Sequence, residues 1–210
     1  MPRHGLLFAV CAGLALSFVL HGCASSPSDA EVTAKAAAAL KSSFKEQGQA
    51  KLDRLDQDDT QNACSLPAGK AVPKDVATRI ERENLASIRW PADGKYVGDW
   101  KNGEKIAQEG RGMQYSDDPK AASGANCYAC HQLTPQEVSF GTIGPSLYQF
   151  GKLRGYNDET RKYAYGKIFN AEAYNACTNM PRFGHKGILT EAQIKDVVAL
   201  LVDPASPVNK

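Results

Sequence analysis

Asn126-Cys127-Tyr128-Ala129-Cys130-His131 places two thiols and an imidazole within six residues. The pattern is C-x-x-C-H, the attachment signature of c-type haem. Its spacing has a physical reason. Carried on one helical turn, the thiols of Cys127 and Cys130 meet two vinyl groups on one porphyrin edge and become thioethers. His131 is then delivered beneath the iron as its proximal ligand. Three other readings compete. A thioredoxin-like redox pair wants a buried strand before it in a βαβ setting, whereas the approach here is the polar loop Ser123-Gly124-Ala125-Asn126. A structural zinc site needs two more ligands at matched spacing, and Cys64 and Cys177 stand alone. The third is a chance motif in a packed core. The sequence predicts one covalently bound haem c.

A low-spin haem needs a ligand on its other face, and the chain offers Met113, Met180 and His185. Met180 lies in Asn179-Met180-Pro181-Arg182-Phe183-Gly184, a loop bounded by Gly and Pro that a following helix can brace. Met113 precedes the haem motif, where the chain is still approaching the proximal side. Met180 is the favoured axial ligand and His185 the alternative; the plain reading of any single Met is core packing. A His/Met pair raises the reduction potential relative to two histidines and leaves no open site for oxygen chemistry, which suits an electron carrier.

The surrounding periodicity is helical. Asp99 is an N-cap for a helix over residues 99–109, and Thr190-Glu191-Ala192-Gln193 forms a capping box for one over residues 191–202. Ile194, Val197, Val198 and Leu201 recur on one face of the latter, and Asp203-Pro204 stops it. Asn157 or Asp158 caps a third helix running through Tyr163 to Phe169. Before the haem motif, residues 36–39 favour helix, with Leu40, Phe44, Leu52 and Leu55 as apolar marks; Val76, Ile80 and Ile88 suggest another amphipathic helix. A helix before C-x-x-C-H, a C-terminal helix after the Met loop and irregular chain between describe a small all-α haem domain. That organisation resembles the class I cytochromes c, whose first and last helices pack across each other. In that family a proline after the proximal turn offers its carbonyl to the histidine ring N–H, and Pro145 in Gly144-Pro145-Ser146-Leu147 is the matching position. The plainer reading of Pro145 is a turn proline.

With 210 residues the chain holds one domain or a domain with an appendage. A formal charge of +2 gives no polyanion-binding field, which argues against nucleic acid as a partner. Residues 1–22 read as an export signal: Arg3 and His4, then a largely apolar run over residues 5–20, too short to span a bilayer. Leu20-His21-Gly22-Cys23 resembles a lipoprotein box, with His21 in place of the usual small residue, and makes Cys23 the lipidation candidate. Ordinary cleavage near Ala24 with full release is the alternative. The expected organisation is a signal over residues 1–22, an N-terminal extension or docking arm over 23–94, and the haem domain over 95–210, in the periplasm and tethered by lipid if at all. Cys64 and Cys177 remain once the other cysteines are assigned, and in an oxidising compartment such a pair is usually joined. A bridge closing a loop of about 112 residues stabilises by roughly 4.7 kcal/mol in the chain-entropy model. It would tie the arm to a point just before Met180. Two buried free thiols, or a bridge to a partner, are the rivals.

Taken in order, Asn126 to His131, Gly141-Thr142-Ile143-Gly144-Pro145-Ser146-Leu147, Asn179 to Gly184 and the ending Asp203-Pro204-Ala205-Ser206-Pro207 resemble SoxX, the monohaem subunit of the SoxAX sulfur-oxidation cytochrome. The arm is longer than in shorter members of that family. The resemblance implies a heterodimer with SoxA that acts as a heteromeric L-cysteine S-thiosulfotransferase, joining thiosulfate oxidatively to a cysteine of the carrier SoxYZ. There the reacting thiolate belongs to SoxA, while the SoxX-type subunit accepts electrons and passes them to a small cytochrome c. Carried onto this chain, Cys127 and Cys130 hold haem, His131 and Met180 ligate iron, and no residue takes part in substrate chemistry. Between residues 127 and 190 seven basic residues face four acidic ones, a local +3 that would steer an acidic partner. Two other functions stay open: a generic exported monohaem carrier for another periplasmic enzyme, and a haem sensor or peroxidase with an exchangeable sixth position.

Overall fold

Residues 26–65 and 70–210 are described in a computed structural model of the chain; the export segment and Cys23 lie outside them. Among the described residues the α-helices are α1 (Asp29–Ser43), α2 (Asp59–Cys64), α3 (Lys74–Ala86), α4 (Trp100–Gln108), α5 (Phe150–Arg154), α6 (Asp158–Phe169) and α7 (Glu191–Val202). No strand forms among them, so the fold is all-α. The local signals act where the sequence puts them. Thr190 caps α7 by accepting the Gln193 N–H, and the Gln193 side chain accepts the Thr190 N–H in return at 3.0 Å. Asp99 accepts the Lys101 N–H at the start of α4, and Asn157 accepts the Thr160 N–H at the start of α6. Each such cap is worth about 1 kcal/mol.

Packing begins where α4 crosses α7. The face that Ile194, Val197, Val198 and Leu201 present is at most 5% exposed, and each such side chain contributes ~1.5–3 kcal/mol by leaving water. Polar bonds fix the crossing: the Gly98 N–H donates to Lys195 O at 2.9 Å, and the Asp99 N–H to the Asp196 carboxylate at 2.8 Å. At the crossing point Gly103 has no room for a side chain, because a Cβ would run into the Asp196 carbonyl and lie 3.1 Å from Leu200 Cβ. Gly103→Ala improves helix propensity by ~1 kcal/mol. It must nevertheless push the two helices apart, at a cost of ~1–3 kcal/mol. Denaturant titration is expected to show net destabilisation, and a stabilised variant would contradict the close crossing.

The N-terminal part departs from the periodicity read above. Leu40, Phe44, Leu52 and Leu55 do not mark one helix: α1 ends at Ser43, and Leu52–Leu55 is a separate 3-10 turn. Between them Gly48 turns the chain at φ 53° and a bridge pairs Gln47 with Ala50. Residues 1–40 and 41–210 divide into two units, and α1 buries none of its residues. Within the larger unit α3 behaves as its spacing suggests, burying Ile80 and Asn84; Ile88 lies two residues past its end and is still buried. Asn84 accepts from the fully buried Asn170 side chain at 2.9 Å. Beyond α3, Trp90 and Tyr96 pack edge-on with ring centroids 6.2 Å apart, and both meet Tyr165 of α6. Burial pushes the Tyr165 phenol up to about 12, and its hydroxyl donates to Arg89 O. The short helices α2 and α5 carry too few residues to show a period, which is why the sequence pattern missed them.

Candidate functional site

Asn126 enters the C-x-x-C-H motif in the left-handed region, φ 45°, and the chain then closes a 3-10 turn over Cys127–Ala129. The N–H groups of Cys130 and His131 both donate to Cys127 O, at 3.1 and 2.9 Å. The following loop is laced back onto this turn. Gly141 N–H donates to Tyr128 O at 2.8 Å, Gly144 N–H to Cys130 O at 2.9 Å and Leu147 N–H to Gln132 O at 2.8 Å. That lacing brings Pro145 O to 2.7 Å from His131 Nδ1. A proline carbonyl can only accept, so Nδ1 carries a proton, and in the neutral ring this leaves the Nε2 lone pair for a metal. Gly144 lies flat against the imidazole, and a Cβ there would overlap the ring. A glycine is required at that spot.

Cys127, Cys130 and His131 open into one cavity of about 790 Å³, within the ~300–1,000 Å³ range of small-molecule and cofactor sites. Leu133, Leu147, Phe150, Ile168, Phe183, Val197 and Leu201 supply apolar wall, and Met180 lines the same space. Neither motif cysteine is joined to another cysteine. Burial pushes the Cys127 thiol up to about 12, opposite to the lowered thiol of a disulfide oxidoreductase. Among the described residues no three His, Cys, Asp or Glu side chains gather as a metal cluster, so the closed donor set of a structural zinc does not form there. Among the described residues the cavity wall includes Arg154 and Lys167 and no carboxylate. The Arg154 guanidinium lies over the rings of Phe150 and Tyr163, 5.2 and 5.0 Å from their centroids. Lys167 donates to Ala171 O at 3.2 Å, and burial lowers its pKa. Two thiols, an oriented imidazole, a thioether, greasy walls and two cations fit a flat apolar macrocycle that bears carboxylates.

The other ligand candidates lie elsewhere. Met113 is 40% exposed and its carbonyl accepts from Arg54. His185 does not line the cavity; its Nδ1 sits 3.2 Å from Ser87 Oγ, and burial lowers its pKa. The Met180 loop is tied down on both sides. A disulfide joins Cys64 to Cys177 with Cα atoms 5.3 Å apart, and Cys177 stands at φ 60° with its N–H given to Glu172. Past Met180, the buried Arg182 pairs with Asp58 at 2.6 Å, and Lys186 reaches the same carboxylate oxygen. These neighbours hold Asp58 well below the usual carboxylate range against the opposing effect of burial. Sequence reasoning missed Asp58; its only visible signal was the D-x-x-Q cap pattern of Asp58 and Gln61.

Comparison with known proteins agrees with this geometry. The Cytochrome c family profile matches residues 101–203, from the first turn of α4 to the residue that ends α7. A protein of Aquifex aeolicus (strain VF5) described as an uncharacterized lipoprotein is 40% identical over 157 residues, covering 73% of each chain. An all-α fold built on the α4–α7 crossing, with a C-x-x-C-H cavity beneath it, thus coincides with the matched segment. Residues 101–203 form a cytochrome c domain, the kind of electron carrier that works through a covalently attached haem c.

Proposed function

We propose that this chain is an exported monohaem cytochrome in which Cys127 and Cys130 attach the haem and His131 and Met180 are its axial ligands. One observation carries the reading: all four side chains line a single cavity, with His131 held in the right tautomer by Pro145 O at 2.7 Å. When bound, the haem supplies a one-electron couple. The protein's own residues do the rest. Pro145 and Gly144 orient His131 and fix its proton on Nδ1; Met180 favours the reduced iron. Leu133, Phe150 and Leu201 would keep water from the bound group, and Arg154 and Lys167 would be the cations available to its carboxylates. In this reading residues 1–22 export the chain, Cys23 carries the lipid, residues 23–94 form the arm and 95–210 the haem domain. The lipoprotein description of the Aquifex relative supports the anchor. No described helix is long and apolar enough to cross a membrane.

The finer reading is a SoxX role: the chain pairs with SoxA, takes the electrons released when thiosulfate is joined to SoxYZ, and hands them to a small cytochrome c. The ordered motifs around His131, Pro145 and Met180 support it. The test is deletion of the gene with recovery of partners from native membranes. Loss of thiosulfate oxidation, restored by the wild-type chain, together with a SoxA-type subunit in the purified complex, is the expected result. Normal thiosulfate oxidation after deletion would leave the generic exported carrier in its place.

A further inference from the structure

The loop that bears Met180 is gripped at two points by one short helix that adds almost nothing to the core. α2 buries none of its six residues. Its last residue, Cys64, is bonded to Cys177, three positions before Met180. The residue that caps its start, Asp58, pairs with Arg182, two positions after Met180. The two attachment points lie about 9 Å apart along the helix, six residues at 1.5 Å each. Asp58 divides its oxygens between two tasks. Oδ1 accepts the Gln61 N–H that starts the helix, at 3.0 Å; Oδ2 accepts from Arg182 and Lys186, at 2.6 Å each. Arg182 is only 8% exposed and Asp58 is the carboxylate in direct contact with its guanidinium, while the buried Glu172 acts on it from farther off without an ion pair.

We propose that Asp58 is a positioning residue for the axial thioether, acting through Arg182; this rests on Met180 being the iron ligand. Pro181 connects the two, and its ring locks φ, so a displacement of Arg182 is transmitted to Met180 instead of being absorbed between them. Without the negative charge at residue 58, the buried guanidinium is relieved most cheaply by turning out to water. That movement draws the sulfur away from the iron. The disulfide at Cys177 holds the near side of the loop, and Asp58 sets the far side. The arm before the haem domain therefore tunes how firmly the sixth position is closed.

The test uses the full haem-loaded chain. Asp58→Asn keeps a side-chain oxygen to cap α2, since Asn caps as well as Asp, but removes the charge. Two readouts report the sulfur–iron bond: the far-red charge-transfer band of the ferric protein, and the rate at which carbon monoxide binds the ferrous protein, which is limited by how often sulfur leaves iron. Asp58→Asn is expected to weaken the band and speed carbon monoxide binding at least tenfold, while Asp59→Asn on the same helix changes neither. Arg182→Gln, which removes the buried charge along with its tie, is expected to act in the same direction and serves if Asp58→Asn loads haem poorly. Variants with lowered stability but wild-type band and rate would overturn the positioning role. A wild type without the band, matched by Met180→Ala, would instead remove Met180 as ligand and the proposal with it.

Discussion

Met180→Ala is expected to open the iron to carbon monoxide and to lower the reduction potential, with the C-x-x-C-H attachment untouched. The thioether donates weakly and favours ferrous iron, so a His/Met pair sits higher in potential than bis-histidine or His/water ligation. Met180 lines the cavity, whereas Met113 is exposed and His185 is turned to Ser87, so no other described thioether or imidazole stands ready to replace it. Redox titration of the ferric–ferrous couple beside carbon monoxide difference spectra checks both effects. A variant with wild-type potential and no carbon monoxide adduct would show that the sixth ligand lies elsewhere, and the sensor or peroxidase reading would gain from a wild type that already binds the gas.

The double variant Cys127→Ser with Cys130→Ser should lose covalent haem altogether and most of its cooperative fold. The reason is the size of the cavity. Without the porphyrin the apolar walls of a space of about 790 Å³ face water, and each such side chain forfeits ~1.5–3 kcal/mol when its burial is lost. Four such walls together are comparable to the ~5–15 kcal/mol by which a domain is ordinarily stable. The walls formed by Leu133, Phe150, Phe183 and Leu201 must then collapse or flood. The α4–α7 crossing, held by Gly103 and by polar bonds from Gly98 and Asp99, is expected to be the last part to lose helicity. Far-ultraviolet circular dichroism with thermal melting reads this out: a broad, low-temperature transition is expected, and a sharp wild-type melt would mean that the porphyrin is not part of the core.

Much of this arrangement was legible in the sequence because it rests on short-range signals. The Thr190–Gln193 capping box, the Asp99 and Asn157 caps and the stripe from Ile194 to Leu201 each report on neighbours within one or two turns. The C-x-x-C-H spacing did the same for the proximal side. What stayed hidden depends on distant chain. The tie from Asp58 to Arg182 joins residues 124 positions apart, and nothing local to either distinguishes it from an ordinary surface charge. Arg154 and Lys167 read as part of a general positive balance; only the turn between α5 and α6 puts both on the cavity wall. The apolar marks at Leu52 and Leu55 misled, since a glycine turn at residue 48 ends the period that Leu40 and Phe44 begin. The helical turn that the motif spacing implies is a short 3-10 turn over Cys127–Ala129, entered from the left-handed Asn126.

The central claim is that one porphyrin is bonded through sulfur to Cys127 and Cys130 of this polypeptide. Intact-mass measurement on protein produced in a host able to mature c-type cytochromes, followed by mapping of the haem-bearing peptide, tests it most directly. The account predicts a mass increased by one haem, carried on the peptide that contains both cysteines and His131. Unmodified polypeptide from that same host, with both thiols free to alkylate, would contradict it.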